Sequence, residues 1–186
     1  MPSDGLIYEM REYLVSDGRA GDEIARARST ILGVAEGGTG LFDRHSLPRP
    51  WAIWRGLHGR SLPSIAFLYT WPSMSLRSKA FTGLYVDPIW IELRSQTNGS
   101  HEIVSRIDDL IFTGPPHHEP PSGSGIYEFV RESGTATILR AGEIALLPLA
   151  GDDVRPLVIR NLGDDLATAL TPTRAGRGKL FQLLEL

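Results

Sequence analysis

Leu6-Ile7-Tyr8-Glu9-Met10-Arg11-Glu12-Tyr13 decides how the rest of the chain is read. Aromatic and apolar residues run through it with charges between them, the pattern of a strand with two differently used faces. Alternation puts Glu9, Arg11 and Tyr13 on one face and Tyr8 and Met10 on the other. The same opening returns as Gly125-Ile126-Tyr127-Glu128-Phe129-Val130-Arg131, 119 positions later (126 less 7), with the arginine displaced by one. Each copy begins its own segment, so the pair reads as the start of an internal repeat.

The two segments are separated by Thr113-Gly114-Pro115-Pro116-His117-His118-Glu119-Pro120-Pro121-Ser122-Gly123-Ser124-Gly125. Four prolines and several glycines in that span exclude a helix or a central strand. The expected organisation is a domain over 1–113, a linker over 114–125 and a shorter, β-rich unit over 126–186. In the first domain a helix follows Ser16-Asp17-Gly18. Asp22 and Glu23 lie in its first turn, Ile24, Ala27 and Ile31 on one face, and Gly33 and Gly37-Gly38 at its end. A second strand is expected over 41–46, and an extra hairpin arm over 51–57. Ser64-Ile65-Ala66-Phe67-Leu68-Tyr69-Thr70-Trp71 is the strongest strand signal in the chain. Helices begin at Pro72-Ser73 and at Asp87-Pro88, where proline suits the first helical position, and a last strand runs over 102–112. That order, β-α-β-(β)-β-α-β, is ferredoxin-like with an insertion. After the linker the pattern predicts strands at 125–131, within 135–149, at 157–160 and at 180–186, with a short helix over 164–170. The fold class expected is α+β, of the ferredoxin-like dimeric α/β-barrel type, in two tandem copies with the second degenerate.

The chain has 186 residues and a formal net charge of -3. It lacks the basic stripe that nucleic acid or an anionic membrane would demand, so neither is an expected partner. It has no cysteine, hence no disulfide, thiolate metal site or cysteine nucleophile. No stretch approaches the roughly 20 apolar residues of a membrane helix, and the first residues carry no signal or transit pattern. A cytoplasmic protein is expected. Gly37-Gly38-Thr39-Gly40 lacks the lysine and following helix of a phosphate loop. There is no Gly-x-Ser-x-Gly elbow and no His-Glu-x-x-His helix. The adjacent histidines of His117-His118-Glu119 lie in a proline-rich segment that does not preorganise ligands, so no metal is expected. No cofactor is expected either.

Residues 6–112 resemble the NIPSNAP family. Ile7-Tyr8-Glu9-Met10-Arg11-Glu12-Tyr13 is similar to the family's opening Tyr-Glu-Leu-Arg-x-Tyr. The strand ending Tyr69-Thr70-Trp71 resembles its central strand with a terminal tryptophan. Leu76-Arg77 through Asp87-Pro88-Ile89-Trp90 resembles its arginine- and alanine-rich helix followed by Asp-Pro-x-Trp, and Ile103 with Arg106-Ile107 its closing strand. The segment 49–63 departs from the family pattern, and the second copy matches only at Ile126-Tyr127-Glu128. The resemblance implies the barrel-type fold and leaves function broad. Some members are interaction proteins, and bacterial ones are similar to cofactor-free oxygenases and other small barrel enzymes.

Candidate site residues follow from strand alternation. Phe67, Tyr69 and Trp71 share one face of the central strand, while Ala66, Leu68 and Thr70 share the other. Assigning the smaller set to the helices leaves Glu9, Arg11, Tyr13, Phe67, Tyr69 and Trp71 between the two sheets. That would make an aromatic-walled space with a few charges, fit for a flat apolar ligand with one polar handle. Glu9 and Arg11 also read as a buried ion pair fixing the sheet, and the aromatic row as ordinary core. His45, beside Arg44, is a candidate general base; His58 and Arg60 fall on a possible lid. Trp51, Trp54 and Trp90 supply further aromatic surface, with Trp54 and Trp90 the substrate-binding candidates.

Two functions are consistent with these residues. In the first, a cofactor-independent enzyme holds an aromatic or polyketide-like molecule between the sheets for oxygenation, cyclisation or isomerisation. Arg11 then neutralises an enolate or carboxylate, and His45 or Glu9 moves a proton. In the second, the chain is a non-catalytic interaction or ligand-binding protein of the NIPSNAP type. A hollow space between the sheets favours the first and a filled one favours scaffolding. The expected assembly is a monomer with paired copies or a homodimer.

Overall fold

The computed structural model describes residues 6–32, 40–59, 61–114, 121, 125–131, 143–149, 155–165, 169 and 178–184. Its elements run β1 (Leu6–Val15), α1 (Ala20–Leu32), α2 (Leu41–Arg44), β2 (Ala52–His58), β3 (Ser64–Trp71), α3 (Met74–Val86), α4 (Pro88–Asn98), β4 (Val104–Gly114), β5 (Ile126–Arg131), β6 (Ile144–Pro148), β7 (Leu157–Asn161) and β8 (Gly178–Leu183). The segments 115–120, 132–142 and most of the expected helix over 164–170 lie outside the described residues, as do Arg60, the Gly37-Gly38-Thr39 run and His117-His118-Glu119.

The eight strands close a barrel in the order β1-β3-β2-β8-β5-β7-β6-β4, and every neighbouring pair is antiparallel. Read around the ring, the strands before residue 115 follow β4-β1-β3-β2 and those after residue 125 follow β8-β5-β7-β6. The second quartet repeats the strand order of the first, and all four described helices belong to the first.

Two expectations are corrected. Residues 41–46 do not form a strand. Leu41–Arg44 is a helical turn, with both Leu41 and Phe42 buried, and the amides of Arg44 and His45 donate back to the Gly40 and Leu41 carbonyls. The apparent alternation was too short to separate one helical turn from a strand. The strand expected over 51–57 is present as β2, antiparallel to β3 as in a hairpin, but it is not an extra element. It lies between β3 and β8 and is needed to close the ring, and His58 is its last residue.

Sheet orientation is the third correction. Residues assigned to the space between sheets face the helices instead. Phe67, Tyr69 and Trp71 pack with Ile31, Phe42, Ala80, Phe81 and Leu84 beneath α1, α2 and α3. Tyr8, Met10, Ala66 and Leu68 point into the lumen with Trp54, Phe112, Tyr127, Phe129 and Phe181. An eight-stranded barrel leaves an interior just wide enough for side chains to fill. Small residues such as Ala52 and Ala66 therefore face inward, making room for Trp54 and Phe129, whose ring centroids are 5.0 Å apart. The wider helix-to-sheet gap takes the large aromatic row.

Local sequence explains the helix boundaries. The Ser73 hydroxyl caps α3 by accepting from the Leu76 amide at 3.2 Å. Asp87 caps α4 by accepting from the Ile89 amide at 2.8 Å, with Pro88 first in the helix, and the cap is the expected acid–proline start. Gly99, at φ 61°, ends it. No residue of α4 is fully buried; Trp90 and Leu93 pack part-way into the helix-side core. No helix among the described residues is long and apolar enough to cross a membrane.

Candidate functional site

On α1, Glu23, Ala27, Thr30 and Ile31 recur at helical spacing and form the stripe facing the sheet. Two polar residues therefore lie in an otherwise apolar stripe. Opposite them β1 presents Tyr13, and β3 presents Phe67 and Tyr69. Phe42 of α2, Phe81, Leu84 and Tyr85 of α3, and Trp90 of α4 close the remaining sides. Together with Arg26 these residues line an inner cavity of about 50 Å³. Beyond Tyr85 and Trp90, which border both spaces, a groove of about 390 Å³ runs past Ile91, Arg94, Ser95 and Asn98 to His101 and Glu102.

The cavity's polar groups are unusual for so apolar an enclosure. Glu23 is 3% exposed and Arg26 5%, and the two side chains form an ion pair. Burial pushes the Glu23 carboxyl up to about 7, Arg26 pulling the other way. Arg26 also donates from Nη1 to Asn98 Oδ1 at 2.9 Å, and its guanidinium lies 5.8 Å from the Trp90 ring centroid. Among the described residues its buried Nε–H has no hydrogen-bond partner. Tyr13 and Tyr69 are held well above the usual phenol range, burial being the largest cause for each, and no hydrogen bond contributes to either shift.

Behind the cavity lies a charge network on the same face of β1. Arg11 donates from Nη2 to the Tyr85 hydroxyl at 3.0 Å, and its Nε is 3.1 Å from Asp109 Oδ1. The guanidinium sits 4.3 Å from the Phe81 ring centroid. Burial works against its charge, but Tyr13, Tyr85, Asp109 and Glu9 hold its pKa above the ordinary arginine value. Glu9, fully buried, accepts from Trp71 Nε1 at 2.7 Å and from Arg77 Nη2 at 2.5 Å, with Arg11 Nη1 at 3.7 Å. Both its oxygens are thus engaged.

Of the residues singled out from the sequence, the structure brings Tyr13, Phe67, Tyr69 and Trp90 to the cavity wall. Arg11 touches the site through Tyr85 and Phe81. Glu9 and Trp71 stand behind it as one hydrogen-bonded unit. His45 caps α2 away from the cavity, its Nε2 2.7 Å from Asp87 Oδ2, and that bond is the main reason the Asp87 carboxyl lies below its usual range. It ties α2 to the junction of α3 and α4. Trp54 is on the lumen side of the sheet, with Tyr127 and Phe129. Among the described residues no group of three His, Asp or Glu could hold a metal ion.

Sequence reading missed Glu23, Arg26, Tyr85 and Phe81. The available signal was Glu23, an acid four residues from Ala27 on the helix face already marked as apolar, but an acid in a first turn also has an ordinary explanation in the macrodipole.

The Glu23 environment gives the first testable expectation. Its folded pKa is raised from 4.5 to about 7. The stability linked to the protonated carboxyl is therefore full below the unfolded value and is lost as pH rises through about 7. The shift corresponds to about 3 kcal/mol between roughly pH 4 and pH 8. Glu23→Gln, neutral at every pH, should gain on the wild type by about that amount as pH rises, in urea unfolding followed across the range. A constant difference between the two proteins would refute the buried acid.

No protein-family model matches the chain, and no curated protein matches it. Similar solved structures include a NIPSNAP family protein of unknown function from Agrobacterium tumefaciens, at 13% identity and TM-score 0.48, over 64% of this chain and 96% of that one. An uncharacterized NIPSNAP-like domain protein from Burkholderia xenovorans aligns at 19% identity and TM-score 0.46, over 63% and 91% of the two chains. A second NIPSNAP domain protein from the same organism aligns at 18% identity and TM-score 0.45, over 62% and 99%. These three solved structures to which the chain is similar are NIPSNAP family proteins.

Proposed function

We propose that the chain is a ligand-binding protein of the NIPSNAP type whose small-molecule site lies between the helices and the outer face of the first strand quartet. The observation that carries this reading is the inner cavity, apolar and aromatic in its walls yet lined by Glu23, Arg26, Tyr13 and Tyr69. Convergent polar groups in an apolar enclosure are the mark of a site that orients one end of a ligand. Magnitude decides how a ligand would lie. A cavity of about 150 Å³ is what benzene needs, so a ring does not fit in the inner space. The polar end enters there, and the apolar body rests in the groove against Tyr85, Trp90 and Ile91. Tyr13, Phe67, Tyr69 and Trp90 contact the ligand in this reading. Arg11, holding the Tyr85 hydroxyl, positions the ring between the two spaces. Glu9, His45, Trp71 and Trp54 support the frame.

Binding is favoured over catalysis by the lumen, where the expected substrate space between sheets is occupied by Tyr8, Trp54, Phe112, Phe129 and Phe181. We also read the repeated strand order as two ferredoxin-like copies of the dimeric α/β-barrel type within one chain. In that reading a monomer supplies both halves.

Ala27 lines the cavity, and Ala27→Leu fills it with little expected loss of stability. A native mass spectrum of freshly purified wild type should release a small organic molecule on denaturation, and the variant should release none. Equal release from both would overturn the location of the site.

A further inference from the structure

Two buried polar atoms of residues lining the inner cavity, Arg26 Nε and Glu23 Oε2, make no hydrogen bond among the described residues. Arg26 commits Nη2 to Glu23 and Nη1 to Asn98, leaving its buried Nε–H without an acceptor. A buried donor left unpaired costs roughly 1–3 kcal/mol. Tyr13 and Tyr69 line the same space. Arg26, Tyr13 and Tyr69 are three donor-bearing residues around one small enclosure; such a lining suits an oxygen acceptor, and a guanidinium N–H is best matched by a carboxylate.

The surrounding charges say what must accompany that carboxylate. The polar groups that share the cavity with Glu23 are Arg26 on its own helix, Tyr13 on β1, Tyr69 on β3 and Tyr85 on α3, with Arg11 and Asp109 lying beyond Tyr13. Arg11 is already balanced by Asp109 and Glu9. Among the described residues Arg26 is balanced by Glu23 alone. A second carboxylate beside Arg26 puts two like charges on one cation in a dry site, and such pairs resolve by one of them keeping a proton.

Resting on the binding site proposed above, we propose that this cavity takes the head group of a small monocarboxylic acid. Arg26 Nε–H and the Tyr13 and Tyr69 hydroxyls hold it, its apolar tail leaves between Tyr85 and Trp90, and Glu23 takes up one proton as the anion enters. The two volumes set the ligand's proportions. The inner 50 Å³ accommodates a carboxylate group, and the 390 Å³ groove accommodates an aryl or short alkyl tail. Glu23 is thereby the proton partner of the ligand, and the carboxyl's burial sets the pH at which the exchange occurs.

The test is calorimetric titration of the full chain with 3-phenylpropionate and with 3-phenylpropan-1-ol, which matches its shape without charge. Measurements run at about pH 6 and pH 8 in buffers of different ionisation enthalpy. For a site that requires protonated Glu23, the acid's affinity should fall about tenfold over that interval, with net proton uptake approaching one at the higher pH. The alcohol should bind more weakly and without pH dependence. Glu23→Gln should lose both the pH dependence of acid binding and its proton uptake. That variant also separates Glu23 from His101, which lines the groove. Arg26→Met should abolish acid binding and leave alcohol binding in place. If acid and alcohol bind alike at both pH values, the cavity stands as a ligand site and the carboxylate assignment falls. If neither binds, both fall. Unchanged pH dependence in Glu23→Gln would remove Glu23 as the proton acceptor.

Discussion

Glu9→Ala is expected to cost about 3–5 kcal/mol of folding stability, the range for stripping one partner from a buried ion network. Glu9 is fully buried, and three groups depend on it. The Trp71 indole N–H loses its acceptor, Arg77 keeps only the longer contact to Asp109 at 3.4 Å, and Arg11 loses one of its two carboxylates. Trp71 is itself 1% exposed, so its N–H has no route to water. Glu9→Gln should cost less, about 1–2 kcal/mol, because the amide oxygen can still accept from one donor while the charge is lost. Urea unfolding monitored by tryptophan fluorescence measures both. A loss under about 1 kcal/mol for Glu9→Ala would mean that Arg77 and Trp71 find other partners and that the network is peripheral to the fold.

The same residue shows what could be read from the chain and what could not. Glu9, Arg11 and Tyr13 share a face because alternation along a strand is local geometry, and register confirms it, with Glu9 opposite Tyr69 and Arg11 opposite Phe67. Which way that face points is not local. It depends on closure of eight strands, where the lumen accepts Trp54 only because Ala52 and Ala66 are small and partners from β5 and β8 arrive from more than 70 positions away. The expectation that small residues face helices failed for that reason. β2 was undervalued for a related one: its role is defined by β8, which pairs with it, and nothing near residues 52–58 announces a partner at 178–183. His45 was placed on a strand because Leu41 to Ser46 spans too few residues to reveal its period. Glu23, by contrast, was visible as an acid on the apolar stripe of α1, and only the aromatic ceiling of Phe67, Tyr69 and Phe81 turns it from a helix-start acid into a buried titrating group.

Trp54→Ala should be comparably damaging, at about 3–5 kcal/mol, as for other buried large aromatics truncated to alanine. Trp54 is wholly buried, and its ring meets Tyr127 edge-on at 5.9 Å and Phe129 at 5.0 Å and 88°. Phe129 in turn stacks on Phe181 at 4.3 Å. One side chain of the first quartet thus anchors an aromatic cluster belonging to the second. Trp54→Phe should be mild, about 1–2 kcal/mol, since it keeps an aromatic ring and removes an indole N–H that has no hydrogen-bond partner among the described residues. The informative readout is where the loss is felt. Because β2 pairs β8 and β4 pairs β6, neither quartet can close its edges without the other, and a half-barrel would expose two strand edges and its lumen face. Amide exchange in Trp54→Ala should therefore accelerate on β1 and β3 and on β5 and β7 by a common factor, as one cooperative unit. If β5 and β7 alone lost protection, the first quartet with its helices would be the stable body and the second an accessory wrapped around it. The ligand site between helices and sheet would then survive without the barrel that surrounds the other face.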